Sequence, residues 1–193
     1  QAFRESFLDT GKYQEANRGE IADVVVVNAC VVTHRAEAES KSVIRRALRK
    51  NPATKVIATG CLTEATKSYL KTLPNVEIVD STDKNQVPVV GGAMLAADMP
   101  EPSSVQGMQI STFNGRARAF VKVQDGCGLN CSFCIIPTVR GRLRSRRVAD
   151  VVTEAENLVN NGYREIVLTG VHLGHFGRGK GEKERFPLLL ESL

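Results

Sequence analysis

The sequence lacks any apolar run near the roughly 20 residues that a membrane-spanning helix needs. Its first residues also lack the basic and then apolar order of a signal peptide. We therefore expect a cytoplasmic protein with no membrane partner. Cysteine is also scarce, with five residues in a chain of 193. An odd number of cysteines in a chain of this length argues against a small disulfide-stabilised scaffold and favours reduced thiols. With 42% hydrophobic residues, the chain can build the core of one or two domains.

Positive charge is distributed unevenly, although the formal net charge is only +5. Residues 1–110 carry 13 basic and 13 acidic side chains, whereas residues 111–193 carry 13 basic and 8 acidic ones. Five arginines lie within eight residues of the second part: Arg140, Arg142, Arg144, Arg146 and Arg147. Because guanidinium groups suit bidentate contacts with phosphate, this segment indicates a polyanionic partner. A solvated basic loop explains the run of charge equally well.

The first half of the chain alternates between strand and helix patterns. We predict strands over 22–28, 55–59 and 76–79, followed by helices over 34–50, 62–72 and 84–97. Such alternation is typical of a parallel sheet with right-handed crossovers, here a Rossmann-like α/β domain over residues 1–97. Cys30 and Cys61 each follow one of these strands, at the sheet edge where open parallel sheets bind ligands.

A second α/β series follows residues 98–118, a segment with little periodicity that contains proline, serine and glycine and that we interpret as a linker. We predict strands over 119–124 and 165–169, with a helix over 148–161 between them. Three cysteines follow the first of these strands, at the strand end where β/α barrels place their active sites. Residues 119–193 provide only about two barrel strands, so we expect the truncated start of a partial β/α barrel.

The cysteines Cys127, Cys131 and Cys134 form a C-x3-C-x2-C motif. Three thiolates can hold three corners of a four-iron cluster and leave the fourth iron open to another ligand. Structural zinc is the alternative, but it needs a fourth ligand, and no nearby Cys or His completes a compact knuckle. His172 and His175 follow the strand over 165–169, a position that fits a substrate or cofactor loop better than zinc ligation.

An aromatic residue before the last cysteine, at the end of a first barrel strand, makes this motif resemble the radical S-adenosylmethionine (SAM) superfamily. In that superfamily the open iron binds the amino and carboxyl groups of the cofactor's methionine part. The flanking sequence is similar to the methylthiotransferases, most of all to those that act on N6-threonylcarbamoyladenosine beside the tRNA anticodon. Four stretches carry this similarity: RAFVKVQDGC at 118–127, CIIP at 134–137, RSR at 144–146 and EIVLTGVH at 165–172.

The resemblance also implies an auxiliary four-iron cluster on three cysteines of the N-terminal domain. NACVVT at 28–33 and TGC at 59–61 match two of the three, Cys30 and Cys61, although isolated cysteines at strand ends are more often simply buried. The first family cysteine should lie shortly before Gln1. We therefore expect an internal fragment that lacks this cysteine, the rest of the barrel and a C-terminal RNA-binding domain.

The mechanism is implied by the same resemblance. The cluster on Cys127, Cys131 and Cys134 reduces SAM, and the resulting deoxyadenosyl radical abstracts hydrogen from C2 of the adenine. Sulfur then comes from the auxiliary cluster, and a second SAM methylates it; the sequence does not identify the electron donor or the sulfur donor. Four residues are implied to contact the cofactor: Phe133 and Ile136 at its adenine, and Thr169 and Gly170 at its amino end.

An RNA substrate would give the arginine segment a role, because phosphates must be neutralised and a base must leave its stack before it can be attacked. The anticodon loop of tRNA is already single-stranded. Three alternatives stay open: the same chemistry on isopentenyladenosine in tRNA, the same chemistry on an aspartate of a ribosomal protein, and a non-catalytic iron–sulfur or zinc protein that binds RNA. As isolated, the truncated chain is expected to be inactive.

Overall fold

A computed structural model describes residues 2–17, 19–93, 110, 117–179, 181 and 183–193. These residues belong to two compact units: an N-terminal unit within residues 6–100, and a C-terminal unit within residues 101–193 that also takes in residues 1–5. A first helix, α1, spans Ala2–Leu8. The predicted linker over 98–118 lies outside the described residues except for 110, 117 and 118, so the predicted domain boundaries stay a prediction.

The N-terminal unit is centred on a parallel sheet with the order β1-β2-β3. Its strands are β1 at Val24–Ala29, β2 at Lys55–Gly60 and β3 at Val76–Ile78. The central strand, β2, is buried from Val56 to Gly60 because helices and neighbouring strands enclose it. The register pairs Ala29 with Gly60, so the carboxyl ends of β1 and β2 lie side by side.

Helices α2 at His34–Lys50 and α3 at Glu64–Leu70 follow the first two strands. Each is capped by the threonine before it. The hydroxyl oxygen of Thr33 accepts the backbone N–H of Ala36, and that of Thr63 accepts the N–H of Thr66, both at 3.2 Å. Each cap satisfies an N–H of the first turn that has no partner within the helix. The predicted helix over 84–97 is divided into a 3-10 turn at Lys84–Gln86 and α4 at Val87–Val90. It ends earlier than predicted because two glycines follow; residues 94–97 lie outside the described residues.

The C-terminal unit is centred on two parallel strands, β4 at Ala119–Lys122 and β7 at Ile166–Thr169, with Lys122 opposite Thr169. Helix α6 at Val148–Asn160 lies between them in the sequence and packs Val151 and Leu158 into the core. The shorter elements are β5 at Gln124–Asp125, α5 at Ile136–Arg140, β6 at Arg144–Ser145, a 3-10 turn at Leu173–His175 and α7 at Phe186–Ser192.

The predicted α/β class is confirmed, since both units are built from parallel strands joined through helices. The predicted strand over 119–124 divides in two at Val123. Gln124 and Asp125 leave the parallel pair and form an antiparallel pair with Ser145 and Arg144. In the described part of the chain, no helix has the length and apolar character to cross a membrane.

Candidate functional site

The three thiols of the C-x3-C-x2-C motif lie on the loop that joins β5 to α5. Cys127 and Cys134 are half-buried, Cys131 is exposed, and all three are free. Local hydrogen bonds shape the loop: the N–H of Cys131 donates to the carbonyl of Leu129 at 2.8 Å, and that of Cys134 to the carbonyl of Cys131 at 3.0 Å. The loop therefore presents three solvent-accessible thiols, and we call it the cysteine loop, residues 126–135.

The donor set of the cysteine loop fits an iron–sulfur cluster, because free thiols are the ligands that such clusters require. The sulfur atoms are not gathered on one point, since no three Cys, His, Asp or Glu side chains among the described residues are placed to hold a metal ion. The fold thus brings the three thiols to one loop without placing them around a single metal position.

Glycine is required where the cysteine loop begins. Gly126 has φ +69°, and a Cβ at this position would lie 2.0 Å from the carbonyl oxygen of Arg142. A side chain there would therefore collide with the backbone of the turn that precedes β6. Gly128, two residues later, has nothing within 4 Å of such a Cβ. The two glycines of the loop thus serve different purposes, and only the first is sterically necessary.

Asp125 is a buried carboxylate directly before the cysteine loop, with 4% of its surface exposed. Its Oδ1 accepts hydrogen bonds from the N–H of Gly126 at 2.9 Å and from Arg140 at 3.3 Å, and its Oδ2 from Lys122 at 3.1 Å. Burial, the largest single effect, raises the pKa of Asp125, but Lys122, the Gly126 N–H and Arg140 together bring that pKa below its usual value. The base of the loop therefore carries an ionised, fully partnered carboxylate.

Gln124 connects the cysteine loop to the segment after β7. Its side chain is fully buried, and Nε2 donates to the carbonyls of Asp125 at 2.9 Å and Gly126 at 2.8 Å. Its Oε1 accepts the backbone N–H of His172 at 2.8 Å. Sequence reasoning missed this residue. The available signal was a glutamine at the core-facing end of a strand that otherwise buries valines.

A cleft of about 270 Å³ lies at the carboxyl ends of β4 and β7. It is lined by Lys122, Gln124, Ile136, Arg140, Thr169, Gly170 and Val171. Three of the four predicted cofactor contacts, Ile136, Thr169 and Gly170, are therefore brought together. Phe133 does not line this cleft and is 91% exposed. The role of all four residues as cofactor contacts stays a prediction.

Arg146 corrects the prediction that all five arginines of the 140–147 segment are available to RNA. Only 6% of it is exposed, and its guanidinium forms a buried ion pair with Glu154, which is 2% exposed. Arg146 also donates to the backbone carbonyl of Asp150 at 3.2 Å. The side chain of Arg146 therefore neutralises a carboxylate inside the fold and does not reach a phosphate.

The other four arginines of this segment differ in availability. Arg147 is exposed and holds both carboxylate oxygens of Asp150, at 2.7 and 2.9 Å. Arg140 pairs with the buried Asp125, and Arg144 donates to the carbonyl of Arg140 at 3.3 Å. Arg142 is exposed and forms no ion pair with the described part of the chain. Arg142 and Arg147 are thus the two that face solvent most fully.

The two histidines after β7 stack on each other, with ring centroids 3.9 Å apart and an interplanar angle of 26°. They lie on the 3-10 turn whose first N–H, that of His172, is held by Gln124. Desolvation, followed by the neighbouring His172 and Arg178, lowers the pKa of His175 below its usual value. His175 therefore loses its proton more readily than a free imidazole.

The remaining cysteines lie at adjacent strand ends of the N-terminal unit. Cys30 is exposed and Cys61 is 4% exposed, and the N–H of Cys61 donates to the carbonyl of Ala29 at 3.0 Å. The strand ends meet closely because Gly60, at φ +101°, has no Cβ; one would lie 2.4 Å from the Ala29 oxygen. The structure places the two thiols on one sheet edge, and their role as ligands stays a prediction.

Two family models match the chain: uncharacterized protein family UPF0004 over residues 2–80, and the Radical SAM superfamily over residues 121–177. The threonylcarbamoyladenosine tRNA methylthiotransferase MtaB of Bacillus subtilis (strain 168) is 34% identical over 99% of this chain and 44% of its own length. The chain belongs to the radical SAM methylthiotransferase family. The family resemblance inferred from the cysteine motif and its flanks is thereby confirmed.

Members of this family that are named for other substrates are nearly as similar to the chain. The ribosomal protein uS12 methylthiotransferase RimO of Chloroflexus aurantiacus is 32% identical over 98% of the chain and 47% of its own length. The tRNA-2-methylthio-N(6)-dimethylallyladenosine synthase of Clostridium botulinum is 30% identical over 96% of the chain and 44% of its own length. The chain thus spans less than half the length of these curated relatives, whose identities to it differ by a few per cent.

Proposed function

We propose that the protein containing this chain transfers a methylthio group to C2 of N6-threonylcarbamoyladenosine, next to the anticodon of tRNA. The observation that carries the proposal is the similarity of almost the whole chain to a relative named for that substrate, at 34% identity. The flanks of the cysteine motif and the segment at 165–172 support the same choice. The protein acts in the cytoplasm, where tRNA is found.

Cys127, Cys131 and Cys134 hold a four-iron cluster that, when bound, supplies the electron for cleavage of SAM. The surrounding residues position the loop that carries these ligands. Gly126 lets the loop start against the turn that precedes β6, and Gln124 connects the loop to the segment after β7. Ile136, Thr169 and Gly170 line the cleft that would receive the SAM molecule, and the exposed Phe133 would have to approach the cleft to contact its adenine.

Cys30 and Cys61 hold a second four-iron cluster together with a cysteine that this sequence does not contain. Their placement on neighbouring strand ends supports this assignment, since ligands of one cluster must lie close together. When bound, this cluster is the source of the transferred sulfur. Cys30 and Cys61 lie at the carboxyl edge of a parallel sheet, which is where such folds usually bind ligands.

The tRNA is held through phosphate contacts from exposed arginines, because each neutralised phosphate releases counterions from the RNA. Arg142 and Arg147 supply these contacts, Arg140 lines the cleft, and Arg144 donates a hydrogen bond to the carbonyl of Arg140. Arg146 has no part in RNA binding, since its guanidinium is buried against Glu154. The anticodon loop suits the site because its bases need little energy to unstack.

Mass spectrometry of tRNA nucleosides from a strain lacking the full-length gene tests the substrate. We expect loss of 2-methylthio-threonylcarbamoyladenosine, with the methylthio form of isopentenyladenosine unchanged. Loss of the isopentenyl product, or of methylthio-aspartate in ribosomal protein uS12, would contradict the proposal. Complementation with a Cys127→Ala gene is the matched negative control, because it removes one cluster ligand and leaves the rest of the chain intact.

A second experiment separates catalysis from simple RNA binding. Full-length protein, reconstituted anaerobically with iron and sulfide, is incubated with SAM and dithionite. We expect deoxyadenosine and methionine from the wild-type protein and none from Cys127→Ala. If the reconstituted wild-type protein bound RNA but formed no deoxyadenosine, the non-catalytic iron–sulfur interpretation would be favoured instead.

A further inference from the structure

We propose that His172, His175 and Arg178 form a subsite for the carboxylate of the threonylcarbamoyl group. This inference rests on the proposed function, because it concerns how that substrate is told apart from a neutral modified adenosine. The threonine part of the substrate carries a carboxylate that is ionised at neutral pH, whereas an isopentenyl group carries no charge. A site that pairs with this carboxylate would therefore select one substrate over the other.

The three side chains are gathered on one tight turn. His175 follows His172 by three residues, the spacing at which side chains of a 3-10 turn lie over one another, and the two rings stack at 3.9 Å. The N–H of Arg178 donates to the carbonyl of His175 at 3.1 Å, which continues the turn. All three side chains remain at least partly accessible to solvent. Two stacked imidazoles and the neighbouring Arg178 thus offer hydrogen-bond donors from one turn.

The guanidinium of Arg178 is not neutralised by the described part of the chain, in which none of the three side chains forms an ion pair with a carboxylate. The pKa of His175 is lowered first by desolvation and then by the neighbouring His172 and Arg178, which places these groups close to one another. A bound carboxylate would pair with the guanidinium of Arg178 and accept hydrogen bonds from the imidazole N–H groups. An anion is therefore the ligand that the electrostatics of the turn favour.

The turn is held rigidly from three directions. Gln124 accepts the N–H of His172 at 2.8 Å, Phe176 is buried in the core with 1% exposure, and the N–H of Gly177 donates to Ser145 Oγ at 2.8 Å. A rigid turn keeps its donors in place and lowers the entropy cost of binding. These anchors support a built binding surface rather than a loose loop.

The turn also lies at the carboxyl end of β7, the end at which the cleft is found. It follows Thr169 and Gly170, which line the cleft, and Gln124 joins it to Gly126 at the start of the cysteine loop. An adenosine that reacts near this cleft can extend its N6 substituent towards the turn. A phosphate of the tRNA backbone is the other anion that Arg178 could meet, so the experiment must separate the two.

Binding of three anticodon stem-loop RNAs to the reconstituted full-length protein, measured without SAM by fluorescence anisotropy, tests the subsite. The RNAs carry threonylcarbamoyladenosine, its neutral methyl ester, or plain adenosine, and are otherwise identical. We expect the wild-type protein to bind the free carboxylate about tenfold more tightly than the ester, the size of effect that a charged hydrogen bond provides. Arg178→Gln and His175→Gln should each reduce this preference to about twofold or less.

Arg164→Gln is the matched control, since Arg164 is exposed, lies away from this turn and loses the same charge. It should keep the full preference for the carboxylate. An equal loss of affinity for all three RNAs in Arg178→Gln would identify a phosphate contact and overturn the proposal. So would a wild-type protein that binds ester and carboxylate alike.

Turnover of the RNA that carries threonylcarbamoyladenosine is measured in parallel with the wild-type protein. It distinguishes a wrong substrate from a wrong subsite. If the wild-type protein fails to methylthiolate this RNA, the proposed substrate is wrong. If turnover is normal and the variants retain the preference for the carboxylate, only the subsite is wrong.

Discussion

Gln124 and His172 are joined by a hydrogen bond of 2.8 Å from the backbone N–H of His172 to the side-chain oxygen of Gln124. Because the amide nitrogen of Gln124 also donates to Asp125 and Gly126, one buried side chain holds both edges of the candidate site. The side chain at position 124 must therefore both donate and accept hydrogen bonds. Neither an ionised carboxylate nor an apolar side chain can do both. Gly170 completes this arrangement, since a Cβ there would lie 2.9 Å from the same oxygen.

Gln124→Met should impair both stability and cofactor use. It leaves one N–H and two carbonyls without their buried partner, at a cost of about 1–3 kcal/mol for each group that water does not reach. We expect a lower free energy of unfolding in urea and a raised KM for SAM with a smaller change in kcat for deoxyadenosine formation. Gln86→Met, at an exposed position, is the control and should change neither. An unchanged KM in a folded Gln124→Met protein would contradict the positioning role.

Gly126→Ala should prevent the cysteine loop from taking its shape, because the new Cβ would meet the Arg142 carbonyl at 2.0 Å. We expect iron and sulfide content after reconstitution to fall severalfold. Gly128→Ala has open space around its Cβ and serves as the control in the same loop. Quantitative iron and sulfide analysis of both variants checks the prediction, and equal cluster content in the two would show that the close approach is not needed.

Arg146→Met should destabilise the C-terminal unit by about 3–5 kcal/mol, the usual cost of leaving a buried charge without its partner. The stranded charge would be Glu154, which is 2% exposed. Arg147→Met removes an exposed partner of Asp150 and should cost far less, because solvent screens an exposed ion pair. Urea unfolding of the two single variants measures this contrast between neighbouring residues. The double variant Arg146→Met with Glu154→Leu should recover much of the lost stability.

Arg142→Gln and Arg147→Gln should weaken tRNA binding without affecting SAM cleavage in the absence of RNA. Each lost phosphate contact is expected to lower the dependence of log affinity on log salt by about one unit. Affinity for unmodified tRNA at several salt concentrations measures this slope. If neither variant changes the slope, the basic segment is only a solvated surface. Arg146 is left out of this series because its substitution perturbs the fold.

The order of strands and helices was predictable because it depends on local periodicity and end signals. Helix α2 covers the predicted residues 34–50, since apolar residues recur at helical spacing behind the threonine cap at Thr33. The break of the strand at Val123 was not predictable, because residues 124–125 change partner from β7 to a segment about 20 residues away. Pairing of this kind depends on where the chain returns in space.

The sequence by itself determined the family and the candidate cluster ligands. Cys127, Cys131 and Cys134 lie within one short loop, so their spacing alone indicates a three-thiolate site, and the flanking residues lead to the family. Only the tertiary structure decided which polar residues serve that loop and which serve the core. Arg146 and Arg147 are neighbours of the same type, yet one is buried against Glu154 and the other is exposed. Their difference arises because successive side chains in extended backbone point in opposite directions, and only one of those directions meets α6.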